Sequence, residues 1–117
     1  MIREKAFRFS VRIVKLSQYL EQEHKEYVLS KQIKRSGTSI CANVSEAKRG
    51  QSRADFLSKN AIALKEAAET EYWLRLLHET GYLTDKMFES MYADCTELTR
   101  ILSSIVLTTK TTPPATK

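Results

Sequence analysis

The segment Lys34–Ala47 (Lys-Arg-Ser-Gly-Thr-Ser-Ile-Cys-Ala-Asn-Val-Ser-Glu-Ala) leaves few folds open to this chain. With Ile33 in front, Gly37, Ile40, Val44 and Ala47 recur at spacings of four, three, four and three. They therefore share one face of a helix. Yet the helix is built largely from Gly, Ser, Thr, Cys and Ala, and a mid-helix Gly costs about 1 kcal/mol relative to Ala. Close approach of a second helix would offset that cost. Arg35, Asn43 and Glu46 in this segment, with Glu69 farther on, must find partners wherever they are covered. They are expected to form a polar network tying helices together.

The rest of the chain suits an all-α fold. Only three Gly and two Pro occur in 117 residues, and both Pro lie near the C-terminal end. Turn and strand punctuation is therefore scarce. A first helix is expected from about Glu4 to Gln22, with Ala6, Phe9, Ile13, Leu16 and Leu20 as core stripe and Phe7, Val11 and Val14 widening it. A second should run from about Val28 to Lys48, stopped by Gly50 in the left-handed conformation. Ser52 is placed to cap a third helix, with Asp55 completing a capping box, and Gly81 to end it. Thr84 should cap a fourth, whose core stripe is Met87, Met91, Leu98, Ile101, Leu102 and Ile105, with Phe88 and Cys95 beside it. Short connections favour an antiparallel up-and-down four-helix bundle over residues 1–109, followed by a disordered polar tail at 110–117.

The third helix adds an expectation of its own. Leu57, Ala61, Leu64, Ala68 and Tyr72 fall on one side of a helical wheel, while Ile62, Trp73, Leu76 and Leu77 spread toward the other. A helix in a solitary bundle keeps one face wet. Apolar residues nearly all round call for a second covering surface, and self-association is its simplest source.

Signals of chemistry are sparse. Glu21-Gln22-Glu23-His24 contains Glu-x-x-His, the spacing of di-iron bundles, but Arg75 stands where a second motif would need Glu before His78. Cys41 and Cys95 have no metal-binding spacing and read as small buried hydrophobes. There is no Gly-rich phosphate loop and no nucleophile elbow. The expectation is a chain without metal, cofactor or catalysis. No apolar run approaches the roughly 18–20 residues that cross a bilayer, and no signal-peptide core follows Met1. A cytoplasmic protein with no membrane partner is expected.

Charge is the more informative property. Residues 1–59 hold 13 Lys/Arg and 6 Asp/Glu, giving +7; residues 60–117 hold 6 and 8, giving −2. Lys5, Arg8, Arg12 and Lys15 are spaced three, four and three, a stripe of about 15 Å along the first helix. Lys48, Arg49 and Arg53 surround the connection between the second and third helices, and Lys31, Lys34 and Arg35 cluster in the second. Lys5, Arg8, Arg12, Lys15, Lys48, Arg49 and Arg53 are the candidates for contact with the phosphates of RNA or DNA. The competing reading is a protein-interaction scaffold whose charges serve solubility and subunit pairing. Tyr19, Tyr27 and Tyr82 are candidate stacking platforms, though each also suits a packing role with a wet hydroxyl.

The run Leu29–Ala47, with its Arg-Ser…Ser-Ile…Ala-Asn…Glu pattern, resembles the signature of the 23S rRNA intervening-sequence proteins. Ser52, Phe56, Ala63, Glu69 and Leu74, then Thr80-Gly81-Tyr82-Leu83, fit the same pattern in order, and the likeness spans residues 3–107. The family is similar to the accessory protein of diversity-generating retroelements, which binds reverse transcriptase and nucleic acid. The resemblance implies an up-down bundle assembled into a homopentamer, without catalysis. It also implies as partners further copies of the chain, RNA or DNA, and a reverse transcriptase or other protein. Two departures stand out: Ala47 where members commonly have Gly, and Lys65-Glu66 in place of a common Gly-Ser. The second places two charges where a close helix contact is expected, and the local geometry or the facing residue must accommodate them.

Overall fold

A computed structural model describes residues 1–112. They form four helices: α1 Ile2–His24, α2 Leu29–Lys48, α3 Arg53–Glu79 and α4 Asp85–Thr111. Helix α4 continues through Lys110 and Thr111, past the expected boundary at residue 109. The remainder of the expected tail, 113–117, lies outside the described residues. Among the described residues there is no strand. Helix α1 packs on α2, α2 on α3, α3 on α4, and α4 closes back on α1, while the diagonal pairs do not meet.

Local chemistry sets the helix ends. Ser52 Oγ accepts the Asp55 N–H at 3.1 Å and Thr84 Oγ1 accepts the Met87 N–H at 3.1 Å, two N-caps legible from sequence. Gly81 takes a left-handed φ of 90°, and the Tyr82 and Gly81 amides bond back to the Leu77 and His78 carbonyls. That is a Schellman ending. The expectation for Gly50 is corrected, because it does not adopt a left-handed φ. Its surroundings are tight instead: a Cβ there would lie 3.1 Å from both the Ala47 carbonyl and Asp55 Cβ, so a neighbour would have to give by a few tenths of an ångström. The left-handed residue that ends α1 is Lys25, at φ 55°.

The core stripe of α1 is as its periodicity dictates, with Ala6, Phe9, Ile13, Leu16 and Leu20 all buried. The small-residue face of α2 is buried too. A Cβ on Gly37 would come within 2.7 Å of Ile13 Cγ1, so the glycine is what lets Ile13 of α1 seat against α2 there. Ser17 Oγ reaches the Ser30 carbonyl at 3.3 Å along the same seam.

Helix α3 departs from expectation. Leu57, Ala61 and Leu64 are only half-buried, and Ala68 and Tyr72 are exposed. The stripe that enters the core is Asn60, Ala63, Ala67, Thr70, Leu74 and Leu77. The reason is steric. Helix α3 lies between α2 and α4, and small side chains on the inward stripe let both come close. Thr70 and Ser36 share a buried hydrogen bond of 2.9 Å across α2–α3, and Cys95 Sγ lies 3.4 Å from the Ala67 carbonyl across α3–α4. Trp73 and Leu76 are half-buried on the flank. On α4 the inward stripe is rotated slightly from the expected one: Cys95 and Val106 are buried, whereas Met87, Ile101 and Ile105 are half-buried.

Candidate nucleic-acid interface

Each cation of the α1 stripe immediately precedes a core residue: Lys5 before Ala6, Arg8 before Phe9, Arg12 before Ile13, Lys15 before Leu16. One residue is a rotation of about 100°, so the stripe sits on the flank of the core, along the seam with α4. There it meets carboxylates. Lys5 Nζ lies 3.2 Å from Glu97, and Arg12 lies 2.5 Å from Asp94 and 2.8 Å from the Ser90 hydroxyl. The expected row of four open cations is thereby reduced. Lys5 and Arg12 are engaged, while Arg8 and Lys15 are exposed and have no ion pair among the described residues. Such half-exposed pairs contribute about 0–1 kcal/mol, so a phosphate can compete for either cation at small cost. Sequence reading missed the neutralising pair. Its signal was the three-residue spacing of Asp94 and Glu97, which puts both on one face of α4.

The second cluster divides differently. Lys48 and Arg49 are exposed at the end of α2, with no ion pair among the described residues. Arg53 bends to the Thr109 carbonyl in the last turn of α4. It satisfies one of the carbonyls that a helix end leaves open, and it suits the negative end of the dipole. Arg53 is thus a structural clamp as well as a surface charge. Of the third cluster, Lys31 and Lys34 are exposed.

The expected polar network of Arg35, Asn43, Glu46 and Glu69 forms only in part. Arg35 bonds to Glu69 and approaches Glu66 at 3.3 Å, and the Trp73 indole N–H donates to Glu69 at 3.0 Å. The Trp73 hydrogen bond, and then Arg35, hold the Glu69 carboxyl below the usual carboxylate range, while the Glu69 bond raises Arg35. Arg35 is also the facing residue that accommodates Glu66, while Lys65 is exposed. Asn43 and Glu46 stand apart from this group. The Asn43 amide donates to the Ser39 carbonyl of its own helix, and Glu46 pairs with Lys59 at 3.2 Å. Arg35, Asn43 and Glu46 are spread along α2, with about 16 Å of helix between the first and the last, so they cannot all reach Glu69 of α3, and the network splits into an Arg35 group and a separate Glu46–Lys59 bridge.

The aromatic candidates also separate. The His24 ring packs edge-to-face on both Tyr19 and Tyr82 at 5.2 Å, and its Nε2 is 3.1 Å from the Tyr19 hydroxyl. Those tyrosines pack on a neighbouring ring, whereas Tyr27 is exposed. Burial pushes the Cys95 thiol up, leaving it protonated and unreactive. Cys41 is half-buried between α1 and α2. Among the described residues no group of three His, Cys, Asp or Glu could hold a metal ion, and no helix is long and apolar enough to cross a membrane.

Comparison with known proteins agrees with this frame. The family model for the 23S rRNA-intervening sequence protein matches residues 1–104. A crystal structure of a protein of unknown function from the S23 ribosomal protein family, from Bacteroides thetaiotaomicron, is 55% identical, with a TM-score of 0.90. The match covers 91% of this chain and 98% of that one. No curated protein matches. With its four helices and the small-residue seam on α2, the chain belongs to the 23S rRNA-intervening sequence protein family.

Proposed function

We propose that the protein is a cytoplasmic, non-enzymatic homo-oligomer, a pentameric ring of antiparallel up-and-down bundles, that binds RNA or DNA through exposed cations. The observation that carries the binding is the set Arg8, Lys48 and Arg49. All three are exposed, on α1 and at the C-terminal end of α2, and have no ion pair among the described residues. Arg3, Lys31 and Lys34 extend the same positive half. A surface of this kind attracts phosphates without selecting sequence, and its affinity falls steeply with salt.

The register supports the antiparallel arrangement. Along α1–α2, Arg3 meets Cys41, Ile13 meets Gly37 and Ser17 meets Ser30; along α2–α3, Arg35 meets Glu69 and Glu46 meets Lys59. Assembly is supported by apolar area on opposite sides. Phe7, Val11 and Val14 are 63%, 41% and 37% exposed on the outer face of α1, and Ile62 and Tyr72 are 38% and 56% exposed on α3. Helices α1 and α3 are diagonal. A twofold dimer hides one patch per chain, whereas a head-to-tail ring hides both.

Anisotropy titration of a labelled oligonucleotide at two salt concentrations tests the binding. Weak, sequence-tolerant binding at low salt that falls steeply with salt, and is reduced by K48E/R49E, is expected; no binding at low salt overturns it in favour of a protein-interaction scaffold. Light scattering tests the ring, and a monomer at micromolar concentration removes it.

A further inference from the structure

At the end of the bundle where α2 gives way to α3, a cavity of about 340 Å³ opens among all four helices. Its walls are apolar: Val44 of α2, Phe56 of α3 and Ile105 of α4, with Ile2 of α1 opposite. Arg3 and Lys48 also line it. Asn60 is 3% exposed and lines the cavity as well. Its amide donates to the Phe56 carbonyl at 3.0 Å, but among the described residues its Oδ1 accepts no hydrogen bond. That oxygen is open to the cavity, and an unengaged acceptor on an apolar wall can take a ligand's donor.

The three features together define a ligand. The apolar walls and the Phe56 ring take a flat, hydrophobic body. The Asn60 oxygen takes an N–H from its edge. The two cations take an anion attached to it. A nucleobase with its phosphate meets all three demands, and single-stranded nucleic acid is bound by splaying bases onto aromatic side chains while cations track the backbone. Lys48 belongs to the cationic surface already argued to meet the phosphates, and Arg49 follows it in the chain. A strand drawn to that surface therefore passes the cavity mouth.

We infer that this cavity receives one unpaired base of a single-stranded RNA or DNA, stacked on Phe56, bonded to Asn60 and held by Arg3 and Lys48 through its phosphate. The inference rests on the nucleic-acid reading and adds to it a preference that surface charge alone does not give. A duplex keeps its bases stacked inside and can use only the cations.

The test is anisotropy with a labelled single strand and with a perfectly paired duplex of the same length, at low salt. Wild-type protein should bind the single strand more tightly. F56A should weaken single-strand binding about ten-fold, the scale of one lost base–aromatic stack, and leave duplex binding unchanged. F56L keeps an apolar side chain at the mouth without the aromatic face, and should show the same selective loss with an unaltered melting temperature. K48E should weaken both ligands. Equal binding of the two ligands, or an F56L protein indistinguishable from wild type, overturns the base pocket and leaves the electrostatic reading standing. Absence of binding to either ligand overturns both.

Discussion

Helix α1 has two seams of opposite character. Toward α2 it is closed by shape, with Ile13 seated over Gly37 and Ser17 bonded to the Ser30 carbonyl. Toward α4 it is bridged by long charged side chains, Lys5 to Glu97 and Arg12 to Asp94, all of them well over a third exposed. An open groove lies along that second seam between Tyr19 and Met87. Steric contact in a dry interior is insensitive to salt and intolerant of a single added methyl. Exposed ion pairs are screened and exchangeable. The first seam holds the bundle together, and the second stores charge that other anions can claim.

The sharpest way to break this contrast is at Gly37. Two effects compete in Gly37→Ala. Helix propensity favours Ala by about 1 kcal/mol. Against it, the new Cβ falls 2.7–2.8 Å from both γ-carbons of Ile13, which is itself fully buried and branched at Cβ. Overpacking of this kind costs typically 1–3 kcal/mol, and here two atoms must move at once. A net loss of about 1–2 kcal/mol is expected in urea unfolding. Ile13→Ala opens a cavity and costs about 2–5 kcal/mol alone, but the double variant should be less destabilised than the sum of the two. Strict additivity would show that the two residues do not press on each other.

That glycine could be read from sequence for a physical reason. Its neighbours on the helix face are fixed by a 3.6-residue period, and small residues on a covered face have no use except close approach. The caps at Ser52 and Thr84 and the core stripe of α1 were legible in the same local way. What α3 buries was not. Its large apolar residues drew attention to Leu57, Leu64 and Tyr72, whereas the bundle admits the Asn60–Ala63–Ala67–Thr70 stripe because small residues bring helices close on both flanks. Charge pairing was illegible for another reason. Arg12 and Asp94 are 82 residues apart, and only the closing of α4 onto α1 makes them neighbours. The cations of the candidate site could therefore be named, but which of them stay open could not. Phe56 stood only in the family pattern and Asn60 in no motif; the fold alone brings them to one cavity with Arg3 and Lys48.

A smaller effect is expected at the Arg35–Glu69–Trp73 group, where α2 and α3 meet. The Glu69 carboxyl titrates below its ordinary value because the Trp73 N–H, then Arg35, favour its charged form. A carboxyl lowered on folding stabilises the fold above its unfolded pKa and loses that contribution as pH falls through the folded one. Stability of the wild type should therefore drop on acidification from about pH 5 downward. Glu69→Gln keeps an acceptor for Trp73 and removes the charge, so its stability should be lower near neutrality and should fall less over the acid range. Urea midpoints at several pH values measure both. Parallel curves for the two proteins would show that Glu69 titrates as an ordinary surface carboxylate.

The smallest effect on stability, and the one that best separates the two seams, belongs to Asp94→Asn. Losing one half-exposed partner of Arg12 should cost under about 1 kcal/mol, and less at high salt. The Ser90 hydroxyl, 2.8 Å from the guanidinium, remains to hold Arg12 near its present place. The same change should act in the opposite direction on nucleic-acid affinity. It leaves Arg12 unpaired and removes a negative charge beside Arg8, so Arg8, Arg12 and Lys15 become an open row of three cations, with Lys5 still paired to Glu97. Opposite charges about 4 Å apart attract by roughly 1 kcal/mol in water, which sets the scale of the gain at about two- to five-fold at low salt. A steeper dependence of log affinity on log salt should accompany it, by up to about 0.7 for one more phosphate of a single strand. If Asp94→Asn lowers stability as expected but leaves affinity and salt slope untouched, the strand does not run along the α1–α4 seam, and the open cations at Lys48 and Arg49 hold it alone.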